Sequence, residues 1–162
     1  MSDNNVIPWH QYAAISYVAA NAKGSPTLGK TAMQKLIYLV QELHRVPIGY
    51  RFRLYNYGPY SSDLAEDLTY VEFLGGITIN FDRLQNSYSI KAADASKFLT
   101  GKASEFLSGF RSQIDRIIRE FGSRKARDLE LLATSVYVFR ILQASRTYSE
   151  QRLSEGYENY KH

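Results

Sequence analysis

The sequence predicts an α+β domain that is mostly helical, with a small β-hairpin and a C-terminal helical extension. Three observations lead there. Apolar side chains recur at helical spacing through most of the 162 residues. Two short segments, Ile77–Phe81 and Tyr88–Ile90, instead alternate apolar and polar residues around a polar loop, as a hairpin does. The length and the 44% apolar and 22% charged fractions suit one domain that buries its own core.

Pro8 suits the first turn of a helix, where its missing N–H is not needed. Trp9, Tyr12, Ala13, Tyr17 and Ala20 then fall at helical spacing to about Ala22, and Lys23-Gly24-Ser25-Pro26 breaks the helix. A second helix spans Lys30 to His44, with Met33, Leu36, Ile37, Val40 and Leu43 on one face. Tyr50 to Tyr55 alternates well enough to read as a short strand that places Arg51 and Arg53 together, and Asn56-Tyr57-Gly58-Pro59 reads as a turn. Ser61, Ser62 and Asp63 are competent N-caps, with Glu66 at capping-box spacing from Asp63. The helix they open buries Leu64, Leu68, Val71 and Leu74 and stops at Gly75-Gly76.

After the hairpin the chain is helical again: a short piece near Ala95–Leu99, a long helix around Ala103–Phe121, and another from about Ala126 to Ala144. The stripe Phe106, Phe110, Ile114, Ile117, Phe121 and the set Leu129, Leu132, Val136, Phe139, Leu142 are expected to pack on each other and to leave enough apolar surface for a homodimer. Helix, helix, short strand, helix, hairpin is the order of a winged helix. The expectation is therefore a single domain over 1–162, with a winged-helix-like core at 28–91 and a helical extension at 92–162.

No run approaches the roughly 20 apolar residues of a membrane span, and Met1 to Pro8 lacks the basic and apolar parts of a secretion signal. A cytoplasmic location without membrane contact is expected. The absence of cysteine removes disulfides, thiolate catalysis and cysteine-held metals. His10, His44 and His162 stand apart with no partner at helical spacing, so no metal site is expected. No serine sits in a nucleophile elbow. Asp63, Glu66 and Asp67 read as an acidic first turn that complements the helix dipole. No catalytic residue and no cofactor are expected.

Gly24-Ser25-Pro26-Thr27-Leu28-Gly29-Lys30-Thr31 matches the phosphate-loop pattern letter for letter. Such a loop works between a buried strand and the helix it opens. Here the preceding alanine-rich residues read as the end of a helix, and no later strand ends in a magnesium-binding aspartate. A Gly/Pro loop feeding a helix is the simpler reading, and a phosphate-loop nucleotide-binding protein stays a remote alternative.

Three segments carry a resemblance: Lys30-Thr31-Ala32-Met33-Gln34-Lys35-Leu36-Ile37-Tyr38, then Tyr50 to Ser61, then Gly75-Gly76-Ile77. Within the second, Leu54-Tyr55-Asn56-Tyr57-Gly58-Pro59-Tyr60-Ser61 is the most distinctive. Together they resemble the uncharacterised YwgA-type proteins of bacteria and archaea and, more distantly, the Panacea (SocA-like) domain. In that wider group an L-Q-K-L-x-Y-like helix precedes an aromatic turn containing Gly-Pro; Met33 takes the place of the first leucine. Asp128 to Thr134 is similar to the C-terminal helix of the YwgA-type proteins. The resemblance implies a compact helical domain without catalysis that acts by direct contact, as an antitoxin on a toxin or as an adaptor delivering a protein to a protease.

Charge favours the same class. Residues 1–90 carry seven basic and seven acidic side chains; residues 91–162 carry thirteen and nine. The candidate recognition helix, Ser61 to Leu74, holds Asp63, Glu66, Asp67 and Glu72 and no lysine or arginine, which opposes entry into a DNA groove. Arg83 and Lys91 beside Asp82 make a weak wing. The better footprint for a polyanion is Arg111, Arg116, Arg119, Arg124, Lys125 and Arg127, although a solvated face with pairs such as Asp115 with Arg119 explains that run too. A DNA-binding regulator using these helices is the alternative. Tyrosines suit a protein interface better. Phe52 and Tyr60 are expected to point inward, and Tyr55, Asn56, Tyr57 and Pro59 to meet a protein partner, for which a toxin or a proteolysis substrate is the leading candidate.

Overall fold

Two helices that the sequence presents as amphipathic are instead enclosed on nearly all sides. The computed structural model describes residues 6–22 and 28–159. In α1 (Trp9–Asn21) every residue from Tyr12 to Ser16 is buried, as are Val18 and Ala19. In α2 (Lys30–His44) burial is unbroken from Ala32 to Val40 and takes in Gln34 and Lys35. The expected apolar face of α2 is correct except for Leu43, which is exposed. The remaining elements explain the enclosure, because they are arranged around these two. Following α2 come β1 (Arg53–Tyr55), β2 (Gly58–Tyr60), α3 (Ser62–Phe73), β3 (Ile77–Asp82), β4 (Ser87–Ala92), α4 (Ser96–Gly101), α5 (Ser104–Phe121) and α6 (Ala126–Asn159). Helices α3, α4 and α5 and strand β4 pack on α1, while α3, α5, α6, β2 and β4 pack on α2. One apolar cluster runs from Tyr12 on α1 to Ala133 on α6. The fold is α+β and mostly helical, as expected.

Helix α3 starts where the sequence places it. Ser61 is the N-cap, its Oγ accepting from the Leu64 N–H at 3.2 Å, so the Asp63–Glu66 spacing is not used as a capping box. Leu64, Leu68 and Val71 are buried. Gly75 lies at φ +81, a conformation that ends the helix and is open to glycine. Strands β3 and β4 then pair antiparallel over six residues each, with Ile79 opposite Ile90. Ile77 and Ile90 face the core, and the Ile90 N–H donates to Leu28 O at 2.7 Å, fastening this hairpin to the approach of α2.

The chain between α2 and α3 departs from the expected single strand. Val46, Ile48 and Tyr50 are buried alternately in a turning segment before any strand begins, where the Ile48 N–H donates to Val46 O at 2.9 Å and Gly49 lies at φ +96. Arg53, Leu54 and Tyr55 of β1 are all exposed, and β1 returns at once as β2, with Tyr55 opposite Gly58. The turn is therefore Asn56-Tyr57 alone. Neither residue has a positive φ, and Gly58 at φ +91 supplies the left-handed residue that follows a type I turn in a bulged hairpin.

The C-terminal helices also differ from expectation. Helix α5 packs on α1 and α2, and α6 packs on α2 and β2, so neither takes the other as its main neighbour. Ile114 and Ile117 are buried while Phe106, Phe110 and Phe121 are half-buried. Helix α6 continues to Asn159, well past the expected end near Ala144. Leu129 and Ala133 are buried and Leu132 and Val136 half-buried, but Phe139 and Leu142, expected in the core, are exposed, and contact with α2 in this stretch is made by Arg140 instead. Asp115 accepts a hydrogen bond from the Tyr17 hydroxyl at 2.5 Å; the intrahelical ion pair is Arg116 with Glu120 rather than Asp115 with Arg119. Among the described residues no helix is long and apolar enough to cross a membrane.

Candidate functional site

Three polar side chains on the buried helix α2 reach out to the segment that precedes α3. Gln34 and Gln41 are seven residues apart, about two helical turns, and so point the same way. Each makes a two-way amide clamp. The Gln34 side chain donates to Ser61 O at 2.8 Å and accepts from the Ser61 N–H at 2.9 Å. The Gln41 side chain donates to Tyr50 O at 3.0 Å and accepts from the Tyr50 N–H at 2.9 Å. Between them Lys35, only 2% exposed, donates from Nζ to Pro59 O at 2.6 Å. Burial lowers the pKa of Lys35 and the charge of Glu130 opposes that shift.

These contacts fix both ends of 50–61 and the return strand of the β1–β2 hairpin. The Tyr50 hydroxyl extends the hold to α3 by donating to Asp67 Oδ2 at 2.6 Å. Burial raises the pKa of Asp67, Tyr50 lowers it, and Asp63 and Glu66 raise it again. Helix α6 closes the back. A Cβ on Gly58 would lie 2.5 Å from Thr134 Oγ1 and 3.4 Å from Glu130 O, so only glycine lets the hairpin lie this close to the helix. Arg140 of α6 donates to Glu42 O at 2.8 Å and keeps α6 against the end of α2.

So held, the hairpin presents its aromatic side chains to solvent. Tyr55 is 58% and Tyr57 69% exposed, and Tyr60 packs edge-on against Tyr55 at 5.5 Å between centroids. A cavity of about 230 Å³ lies beneath, walled by Tyr55, Tyr57, Tyr60, Lys35, Ala65 and Leu68.

Of the residues expected to meet a partner, Tyr55, Asn56 and Tyr57 are exposed at the hairpin tip. Pro59 is not: it is buried and its carbonyl serves Lys35. Tyr60, expected inward, is exposed at the cavity wall, whereas Phe52 does turn in, packing on Tyr38 at 5.1 Å. Gln34, Lys35 and Gln41 were not among the expected site residues. Periodicity marks Met33, Leu36, Ile37 and Val40 beside them but does not show that these polar neighbours are enclosed.

Arg111, Arg116, Arg119, Arg124, Lys125 and Arg127 are all exposed. They do not make one free face. Arg116 is paired with Glu120, Arg111 lies over Tyr17, and Arg124 lies over Phe121. On α3 the exposed side chains include Asp63, Glu66 and Glu72, and Glu72 accepts from the Ile79 N–H at 2.6 Å. Of the phosphate-loop pattern, Gly24, Ser25, Pro26 and Thr27 lie outside the described residues. Gly29 is the N-cap of α2, Lys30 and Thr31 form its first turn, and the element before the pattern is helix α1 rather than a strand. Lys30 places its ammonium 4.0 Å from the Tyr88 ring on β4. Among the described residues no three His, Asp or Glu side chains gather as a metal site would need. Comparison with protein-family models gives no match for this chain, and comparison with the curated proteins gives none either.

Proposed function

We propose that this chain is a non-catalytic module that binds another protein through the tip of its tyrosine hairpin, in the manner of an antitoxin or adaptor. The observation that carries this reading is the pairing of a rigid base with exposed aromatic rings. Two glutamine clamps and a buried lysine hold the hairpin, while Tyr55 and Tyr57 stand in solvent. Tyrosine buries a large area at small entropic cost and is over-represented among interface hot spots. The acidic surface of α3 and the divided basic run on α5 and α6 weigh against DNA as the partner.

A second copy of this chain is the occupant proposed for the exposed side of α6 from Val138 onward. Val138, Phe139, Ile141, Leu142, Tyr148 and Leu153 are exposed along it, far more apolar side chain than an isolated surface helix carries. Sedimentation at tens of micromolar is expected to show a dimer that Leu142→Glu dissociates; a strictly monomeric mass contradicts it.

The test of the main reading is a substitution at the tip. Tyr57→Ala is expected to leave thermal stability unchanged and to weaken the complex with the physiological protein partner by about 2 kcal/mol. Reversing Arg124 and Lys125 to Glu is expected to leave that complex intact, with weak dependence on salt. Specific duplex DNA binding that falls steeply with salt and vanishes in the charge-reversed variant would establish the regulator reading instead.

A further inference from the structure

The cavity under the hairpin holds a cation in a place that apolar walls do not account for. Lys35 lines it, and the end of its side chain reaches the Gly58-Pro59 strand that forms one wall. An ammonium has three donors. Among the described residues Lys35 fills one of them, on a neutral carbonyl, and forms no direct ion pair. Charges buried to this degree are ordinarily matched by an opposite charge. Glu130 of α6 acts on Lys35 only without direct contact. The other walls are the three tyrosines, Gly58, Ala65 and Leu68, with Thr31, Gln34, whose amide is already committed to Ser61, and Lys30, whose ammonium lies over the Tyr88 ring.

Size and chemistry define the occupant. At about 230 Å³ the cavity falls below the roughly 300–1,000 Å³ of small-molecule pockets, which favours one inserted side chain over a cofactor. A small hydrated anion could meet Lys30 and Lys35 but would leave the apolar part of the walls unfilled. A glutamate side chain meets both demands, with a methylene stem for the rings and a carboxylate for the ammonium. We propose that the cavity receives one acidic side chain of the protein partner, its carboxylate against Lys35 and its stem against Tyr55, Tyr57 and Tyr60. This rests on the reading of the hairpin as a protein-binding surface and specifies what that surface selects.

The experiment is a nuclear magnetic resonance titration of the full chain with acetyl-glutamate N-methylamide and with its glutamine counterpart, following the Lys35 side-chain signals and the tyrosine rings. The glutamate probe is expected to bind about tenfold more tightly, because a hydrogen bond between two charged groups is roughly twice as strong as a neutral one. It is also expected to raise the titration midpoint of Lys35, which the glutamine probe leaves in place. Lys35→Met should abolish the preference. The midpoint shift needs no variant, so the answer stands even if that substitution unfolds the protein. Equal affinities, an unmoved midpoint, or a preference that survives in Lys35→Met overturns the acidic side chain. In each of those cases the surface reading stands or falls separately, on whether Tyr57→Ala weakens the partner complex.

Discussion

The two hairpins of this protein have the same topology and opposite means of support. The β3–β4 hairpin is held by its own apolar face: Ile77 and Ile90 enter the core, and six pairs in register carry the strands outward. The β1–β2 hairpin has three pairs and an entirely exposed first strand. Its position comes from Gln34, Lys35 and Gln41, which belong to another element. Both hairpins leave aromatic rings in solvent, Phe81 and Tyr88 on one and Tyr55 and Tyr57 on the other. Only the rings of the β1–β2 hairpin wall a cavity that also holds a buried lysine, and that difference marks it as the candidate site.

The largest effect separates the two supports. Ile90→Ala empties a buried position in the β3–β4 hairpin and is expected to cost about 3 kcal/mol of global stability, measured by urea unfolding. Tyr50 and Ser61 amides should then lose protection only through global opening. Gly58→Ala comes next. It places a side chain at φ +91 and against Thr134 of α6, and is expected to cost about 2–3 kcal/mol. Restoring space with Thr134→Ala should recover the part due to contact but not the part due to the backbone. A full recovery would mean that the φ carries no strain.

Gln34→Ala should destabilise by about 2 kcal/mol, because it strands the Ser61 N–H away from water and leaves the Ser61 carbonyl with the Ala65 N–H alone. The smallest effect concerns Asp67. Burial raises its native pKa above 3.8, so between that value and the native one the folded state holds a proton that the unfolded state has lost. Stability from this group is thus full below pH 3.8 and falls as the pH rises through the native pKa. Asp67→Asn keeps an acceptor for the Tyr50 hydroxyl and removes the charge. It should flatten that pH slope and change stability at pH 7 by less than about 1 kcal/mol, as read from unfolding midpoints at both ends of the range. An unchanged slope would mean that Asp67 titrates as an exposed carboxyl.

The same contrast explains what could be read from the sequence. The β3–β4 hairpin was legible because apolar residues alternate through Ile77, Ile79, Phe81, Tyr88 and Ile90, although only Ile77 and Ile90 are buried and Phe81 and Tyr88 pack on each other in solvent. Helix α2 was legible from end to end by its periodicity and its breaks. The β1–β2 hairpin was not. Its turn lacks the Asn-Gly or Asp-Gly pair that announces a tight hairpin, and the alternation nearby, in Val46, Ile48 and Tyr50, belongs to a turning segment before it. Nor does periodicity show that Gln34 and Lys35 are buried, since the residues that enclose them come from α6 and β2. Helix α6 shows the converse: Phe139 and Leu142 continue an apolar period yet stay exposed, while Arg140 between them makes the contact with α2. Tyr55, Asn56 and Tyr57 were found by residue type, and the groups that position them by geometry alone.

The central claim is that side chains of α2 hold the tyrosine hairpin in place. Native-state hydrogen exchange on the wild type and Gln34→Ala reads it directly, since the Ser61 amide donates to Gln34 and the Tyr50 amide to Gln41. The account predicts that Gln34→Ala speeds exchange at Ser61 and across Arg53–Tyr60 well beyond the loss of global stability, while the Ile79 and Ile90 amides slow or quicken only with the global change. Exchange at Ser61 that is unaltered, or that rises in step with every amide of β3 and β4, contradicts it.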